Sequence, residues 1–442
     1  MENKLLEAVK SAGIVGAGGA GFPTHVKLNA RAEYIVVNGA ECEPLLRVDQ
    51  QLMALKTKEI LEALNRIVKE TGAKKGIMAL KGKYKRALES LDKHISEYGN
   101  LEIFKLGNFY PAGDEQVTVY EVLKRIVPEG GIPLGVDVIV INVETLLNVY
   151  NALNGGAVTE KYLTITGAVK NPITVKVPIG ITIAQAIELA GGPLVKEFKV
   201  IDGGPMMGKI IDDIEGPVTK TTKGLILLPS DHPLLRSKDK SIESMLKEAR
   251  TACCHCSLCT EVCPRNLLGH NLYPHKIMRT AGYGSTCDIN TSITEAFLCC
   301  ECRLCEQACI MGLQPWKLNS LLKSQMGQRG IKNDNNRKPI EANPFREYRK
   351  FPVKKLVARL GLEKYDVEAP LKEEITREFK TIKLNRRQHI GASSEPIVKV
   401  GDRVTKGQII LEAPENKLGA NIHSSVDGRI EEIHDDYILI SS

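Results

Sequence analysis

Two runs of cysteine constrain this chain more than anything else in it. Cys253, Cys256, Cys259 and Cys263 are spaced C-x2-C-x2-C-x3-C with Pro264 next, and Cys299, Cys302, Cys305 and Cys309 repeat the spacing with Ile310 in the proline's place. Of the 12 cysteines only Cys42 lies outside this region. In a long chain whose N-terminus has no signal-peptide core, such clustering favours metal over disulfides. The first three thiolates of such a run hold one corner of a [4Fe–4S] cubane, and the fourth reaches the neighbouring cluster. Cys253, Cys256, Cys259 and Cys309 are therefore assigned to one cluster, and Cys299, Cys302, Cys305 and Cys263 to the other. Zinc accepts C-x2-C pairs but needs four ligands, which leaves the doubled spacing unexplained. Cys254 and Cys300 each follow a first ligand and are expected to point elsewhere, while Cys42 and Cys287 read as plain buried thiols.

The chain has 442 residues, enough for three or four domains of about 100–200 residues each. Its formal charge of +7 is mild for that length. It suits an anionic cofactor, an acidic partner or a membrane surface, whereas nucleic acid would call for a sharper basic patch. No apolar run reaches the ~18 residues of a spanning helix; the nearest, "VDVIVINVETLLNV", carries Asp137 and Glu144. The expectation is a soluble, cytoplasmic protein that binds no nucleic acid.

Periodicity divides the chain. Residues 1–157 alternate helices and strands: "AEYIVVNGA", "KKGIMAL", "LEIFKL" and "DVIVINV" read as buried strands, and "DQQLMALKTKEILEALNRIVKETG" as one amphipathic helix stopped by Gly72. Residues 158–235 have the strand, turn, strand, helix texture of a ubiquitin-like β-grasp unit, and 240–325 are helical around the cysteines. Residues 326–375 read as a basic connector whose charge is a solvated surface. Residues 376–442 show short strands between turn signals and resemble a barrel-sandwich hybrid.

Near the N-terminus stands "GAGGAGFPT", Gly16 to Thr24. Gly16, Gly18 and Gly21 satisfy G-x-G-x-x-G, but a helix, "ENKLLEAVKSAG", precedes the loop instead of a strand, so it is not a dinucleotide fingerprint of the Rossmann type. The composition says that backbone N–H groups approach an anionic or planar ligand.

"GIVGAGGAGFPTHVKL", "YIVVNGAECEP" and "INVETLLNV", in this order, resemble the flavin- and NADH-binding subunit of respiratory complex I and, more closely, the C subunit of Rnf electron-transport complexes. The order of flavin domain, β-grasp (SLBB-like) domain, dicluster ferredoxin domain and terminal sandwich is similar to that of the cobalamin reductases of propanediol-utilisation microcompartments. The resemblance implies FMN, with NADH stacking on its ring. It places Gly16, Gly18 and Gly19 against the flavin and its phosphate, with Lys27 neutralising charge. Asn38 and Glu41 would meet the isoalloxazine edge, and Glu43 the nicotinamide nucleotide. Tyr110, Gly113, Asp114 and Glu115 form the turn "YPAGDE", and Asn142, Glu144 and Thr145 would cap the ribityl phosphate side.

The function so implied is electron transfer from NADH through FMN and two [4Fe–4S] clusters to a corrinoid or protein acceptor. No side chain is required as acid or base, because the flavin takes the hydride directly. Location is expected in the cytoplasm, inside a microcompartment or peripheral to a membrane complex. The alternative is a soluble relay, like the C subunit of Rnf complexes, that docks to another reductase or membrane complex. A third reading, a covalent carrier modified at Lys417, is disfavoured because Asn416 and Leu418 stand where methionines flank a biotinyl lysine.

Overall fold

The computed structural model describes residues 4–283, 293–339 and 341–442; Cys287 lies outside them. The N-terminal domain is built on a parallel sheet in the spatial order Leu101–Leu106, Lys75–Lys81, Tyr34–Gly39, Val138–Asn142. The chain moves outward from Tyr34–Gly39 through two strands, then returns to its other side. The order reverses there, and in open α/β sheets the crevice beyond the carboxyl ends at such a reversal is the ligand position. The strands are continuous apolar runs because helices cover the sheet. One of these, Thr57–Thr71, buries Ile60, Leu61, Leu64, Ile67 and Val68 and ends at Gly72, whose φ of 70° favours glycine.

Where the pattern predicts one helix over 49–71, the structure has two, Val48–Leu55 and Thr57–Thr71, broken at Lys56. Both halves touch helices Lys85–His94 and Val143–Leu153, the first half packing mainly on the former and the second mainly on the latter.

The β-grasp unit is a mixed sheet around Glu160–Gly167, flanked by Ile173–Pro178 and Gly224–Pro229, with Ile183–Leu189 held by a Thr182–Gln185 capping box. Short helices punctuate the cysteine runs: Leu258–Glu261 with Cys259, Pro264–Leu267 capped by Cys263, and Leu304–Ala308 with Cys305. Two small sheets make the terminal sandwich, Thr381–Asn385 with Tyr437–Ser441, Gly428–Ile433 and Arg403–Val404, and Ile409–Glu412 with Glu395–Pro396 and Ile422–His423.

The basic stretch before the sandwich is more than a solvated connector. Phe351–Pro352 pairs with Phe109–Tyr110 of the first domain, and Leu371–Lys372 adds an edge strand to the β-grasp sheet. Leu356, Val357, Leu360 and Leu362 are buried beside Leu45, Ile226 and Leu304. Arg346 is buried against Glu121 at 2.5 Å. Helical apolar spacing, Val353, Leu356, Val357, Leu360, is interleaved with lysine and arginine, and the charges hide it from a composition-based reading. Among the described residues no helix is long and apolar enough to cross a membrane.

Candidate cofactor site

A cavity of about 680 Å3 opens at the sheet's switch point. Asn38 and Asn142, at the carboxyl ends of adjacent strands, are register partners and both line it. The glycine loop forms another wall. Its backbone is tied internally by Gly16 N–H to Phe22 O and Gly21 N–H to Gly16 O, and Ala17 N–H donates to Thr145 Oγ1 at 3.0 Å. Among the described residues the N–H groups of Gly18, Gly19 and Ala20 have no protein partner. A Cβ at Gly19 would meet nothing within 4 Å, yet φ there is +116°, which excludes most side chains. Exposed N–H groups on an open cradle beside the start of helix Val143–Leu153 suit an anionic group carried by a planar ring. The chain therefore fits a flavin phosphate.

The residues expected around that ligand fall into two sets. Gly16, Gly18, Lys27, Asn38, Glu41, Glu43, Tyr110, Gly113, Asp114, Glu115, Asn142 and Thr145 line the cavity. Gly19 sits in the same loop, but Glu144 is turned away, buried on Lys161 at 2.5 Å with its second oxygen accepting from Tyr162 N–H. Several lining groups are already engaged. Asn142 caps its helix and donates to Asp49; Asp114 caps helix Glu115–Leu123 and takes a bidentate contact from Arg265 at 2.6 and 2.9 Å. Burial pushes the Asp114 carboxyl up, but the Arg265 guanidinium outweighs it and holds it below its usual range. Glu41 accepts from Asp49 N–H and Gln50 Nε2, and burial, with Asp49 adding, raises its pKa. Glu43 accepts from Met206 and Met207 N–H at 2.8 and 2.9 Å, so both oxygens are committed to the β-grasp domain. Lys27 pairs with Glu115 at 2.9 Å and donates to Val140 O.

Sequence reasoning missed Asp49, Lys161, Lys223 and Arg265. Lys223 reaches both oxygens of Asp49 at 2.6 and 2.7 Å in the cavity floor. Burial alone would lower its pKa, but Asp49, Glu144 and Glu41 keep the ammonium charged. These partners lie on different domains, and no local pattern marks them.

The two cysteine runs share one backbone. His255 and Ser257 in the first, and Glu301 and Arg303 in the second, all have φ between 55° and 64°. Left-handed residues at matching places turn successive N–H groups inward, a nest for an anionic cluster. Glu301 N–H reaches Cys299 Sγ at 3.4 Å. Cys309 and Cys253 pack on one apolar cluster and Cys263 and Cys299 on another, which brings each fourth cysteine to the other run. Cys263, Cys299, Cys302 and Cys305 stand around a single small void. Among the described residues no three His, Cys, Asp or Glu side chains close on one point as a lone metal ion requires. Cys300 and Cys302 also border the large cavity, and Tyr110 Oη donates to Cys302 O at 2.9 Å. The flavin-type site and the second cysteine group thus share a wall. Cys42 lines the same cavity, its thiol pushed up by burial to about 12.

A phosphate cradle that abuts a dicluster scaffold defines a class, the flavin iron–sulfur electron-transfer proteins, and comparison with known families agrees. A Nuo51 FMN-binding domain matches residues 9–151, an SLBB domain 162–209, a 4Fe-4S dicluster domain 252–314 and an RnfC barrel sandwich hybrid domain 370–441. The chain is 42% identical to the cobalamin reductase PduS of Salmonella typhimurium over 99% of its length and 96% of that protein's, and equally to PduS of Citrobacter freundii. It belongs to this cobalamin reductase family. More distantly, it is 35% identical to the C subunit of the Na(+)-translocating ferredoxin:NAD(+) oxidoreductase complex of Acetobacterium woodii, over 61% of this chain and 59% of that one.

Proposed function

We propose that this protein is an NADH-dependent reductase with FMN and two [4Fe–4S] clusters as its cofactors and a corrinoid as its electron acceptor. The observation that carries the reading is the common wall: Tyr110, Cys300 and Cys302 lie between the phosphate cradle and the second cysteine group. Bound, FMN accepts a hydride and the clusters accept single electrons, which joins a two-electron donor to a one-electron acceptor.

The chain's own residues bind and orient. The free N–H groups of Gly18, Gly19 and Ala20 would receive the phosphate, and Asn38, fixed by donating to Gly113 O at 2.8 Å and accepting from Ala40 N–H at 3.2 Å, would face the ring. Glu41, Asp49, Lys223 and Asn142 form a charged floor that keeps the cavity shape fixed. Acceptor choice rests on the kinship with PduS. Proximity to a microcompartment rests on the same kinship, and proximity to a membrane complex on the kinship with the Acetobacterium woodii protein.

The test is composition and reduction. Purified protein should contain one FMN and about eight irons and eight acid-labile sulfides per chain. NADH should bleach the flavin, and cob(II)alamin should then reoxidise the protein. Four irons would mean that one run holds no cluster. Flavin that dithionite bleaches but NADH does not would favour a relay fed by another protein.

A further inference from the structure

The terminal sandwich contains no cysteine and lines none of the cofactor cavity, yet it touches the glycine loop at both ends. Ile390 N–H donates to Gly21 O at 3.0 Å. At the other end Lys220, from the β-grasp domain, donates to Gly13 O at 2.7 Å and to Asn421 O at 2.6 Å, joining loop and sandwich through one amine. Gln388 Oε1 accepts from Lys220 N–H at 3.0 Å, so the sandwich also holds the lysine's own backbone. The fit is close. A Cβ on Gly13 would fall 2.1 Å from Asn421 O, and one on Gly21 2.9 Å from Thr221 Cγ2 and 3.3 Å from His389 Cα. Both glycines have positive φ, 64° and 68°.

We propose that Lys220 and the sandwich form a clamp that positions the loop Gly13–Gly21, so that the N–H groups of Gly18, Gly19 and Ala20 stand ready for the flavin phosphate. Lys220 is a positioning residue and touches no cofactor. Among the described residues it pairs with no carboxylate, and its bonds go to the two carbonyls that join loop and sandwich. Burial lowers its pKa to about 7. Either protonation state keeps enough N–H bonds for both carbonyls, so the clamp holds when the amine is neutral. The inference rests on the flavin reading of the cavity.

Three full-length variants test it: Lys220→Met, Gly21→Ala, and Lys417→Ala on the exposed hairpin turn as a control. Each is loaded with FMN, and two quantities are read, the rate of FMN release on dilution and amide hydrogen exchange of the peptide 13–24. Lys220→Met and Gly21→Ala should release FMN about tenfold faster and exchange faster at the loop, with iron content unchanged; Lys417→Ala should match wild type. Unchanged exchange at the loop in both variants overturns the clamp, whether or not FMN is lost. Faster exchange with unaltered FMN release overturns the positioning role. Wild-type protein that takes up no FMN would instead sink the flavin reading.

Discussion

At the residue scale the cavity separates side chains that face a ligand from side chains that shape its walls. Gly18 belongs to the first group. The nearest atoms to a Cβ there belong to the Asn142 side chain, at 3.6 Å, and the residue has no positive φ. Gly18→Val should therefore fold and keep its iron while losing FMN, because the isopropyl group fills the cradle; stoichiometric FMN in that variant would rule the loop out as the site. Glu43 belongs to the second group. Both its oxygens accept N–H groups from Met206 and Met207. Glu43→Gln keeps one acceptor and turns an NH2 towards the other N–H, a loss of about 1–3 kcal/mol for an unsatisfied buried donor. The expected result is a lower thermal midpoint with NADH-dependent reduction slowed no more than about tenfold. A hundredfold loss at unchanged stability would put Glu43 in contact with the nucleotide. The motif "NGAECEP" made the carboxylates legible as a group; which of them faces outward depends on Met206 and Met207, far along the chain in another domain, and no local pattern carries that.

At the scale of elements, helix Val143–Leu153 is joined to strand Glu160–Gly167 by the buried pair Glu144–Lys161. Lys161 also donates to Ala17 O at 3.2 Å, so the pair reaches the glycine loop. Removing one partner strands a charge. Lys161→Met should lower stability by about 3–5 kcal/mol, and adding Glu144→Leu should recover part of it, the rest being held back by Tyr162 N–H, which loses its acceptor, as urea midpoints of the single and double variants would show. FMN retained in the double variant would make Glu144 a structural residue. Strands were readable in the sequence because both faces are buried and the apolar run is continuous. The break at Lys56 and the strap around Val353–Leu362 were not, since each follows from what the element packs on.

For the whole molecule, three histidines report on acid stability. His270, His389 and His423 are all buried, and burial lowers each to about 4, with Arg265 adding at His270 and Lys220 at His389 and His423. Each folded value lies below the unfolded 6.5. The folded state keeps these rings neutral, so their contribution is complete above about pH 6.5 and is lost as pH falls from there towards 4. Between pH 7.5 and 5.5 each should cost about 1.4 kcal/mol. His423→Gln should remove about a third of that decline, read as amide exchange protection in the strands Ile409–Glu412 and Tyr437–Ser441 at the two pH values. A decline equally steep in the variant would exclude His423.

What the sequence determined by itself was whatever is written in local spacing. The doubled cysteine run names its metal, because a cubane's corner needs ligands three residues apart. The glycine loop announces a close backbone approach, and apolar periodicity marks the sheet and the small β domains. Only the tertiary structure decided how these parts meet: that Cys302 borders the flavin-type cavity, that Asp49 is neutralised by Lys223, that Glu43 serves the β-grasp domain, and that the sandwich grips the loop through Lys220. A polar or charged group buried in a low-dielectric interior must find its partner in space, and groups brought together from separate domains leave no periodic trace along the chain.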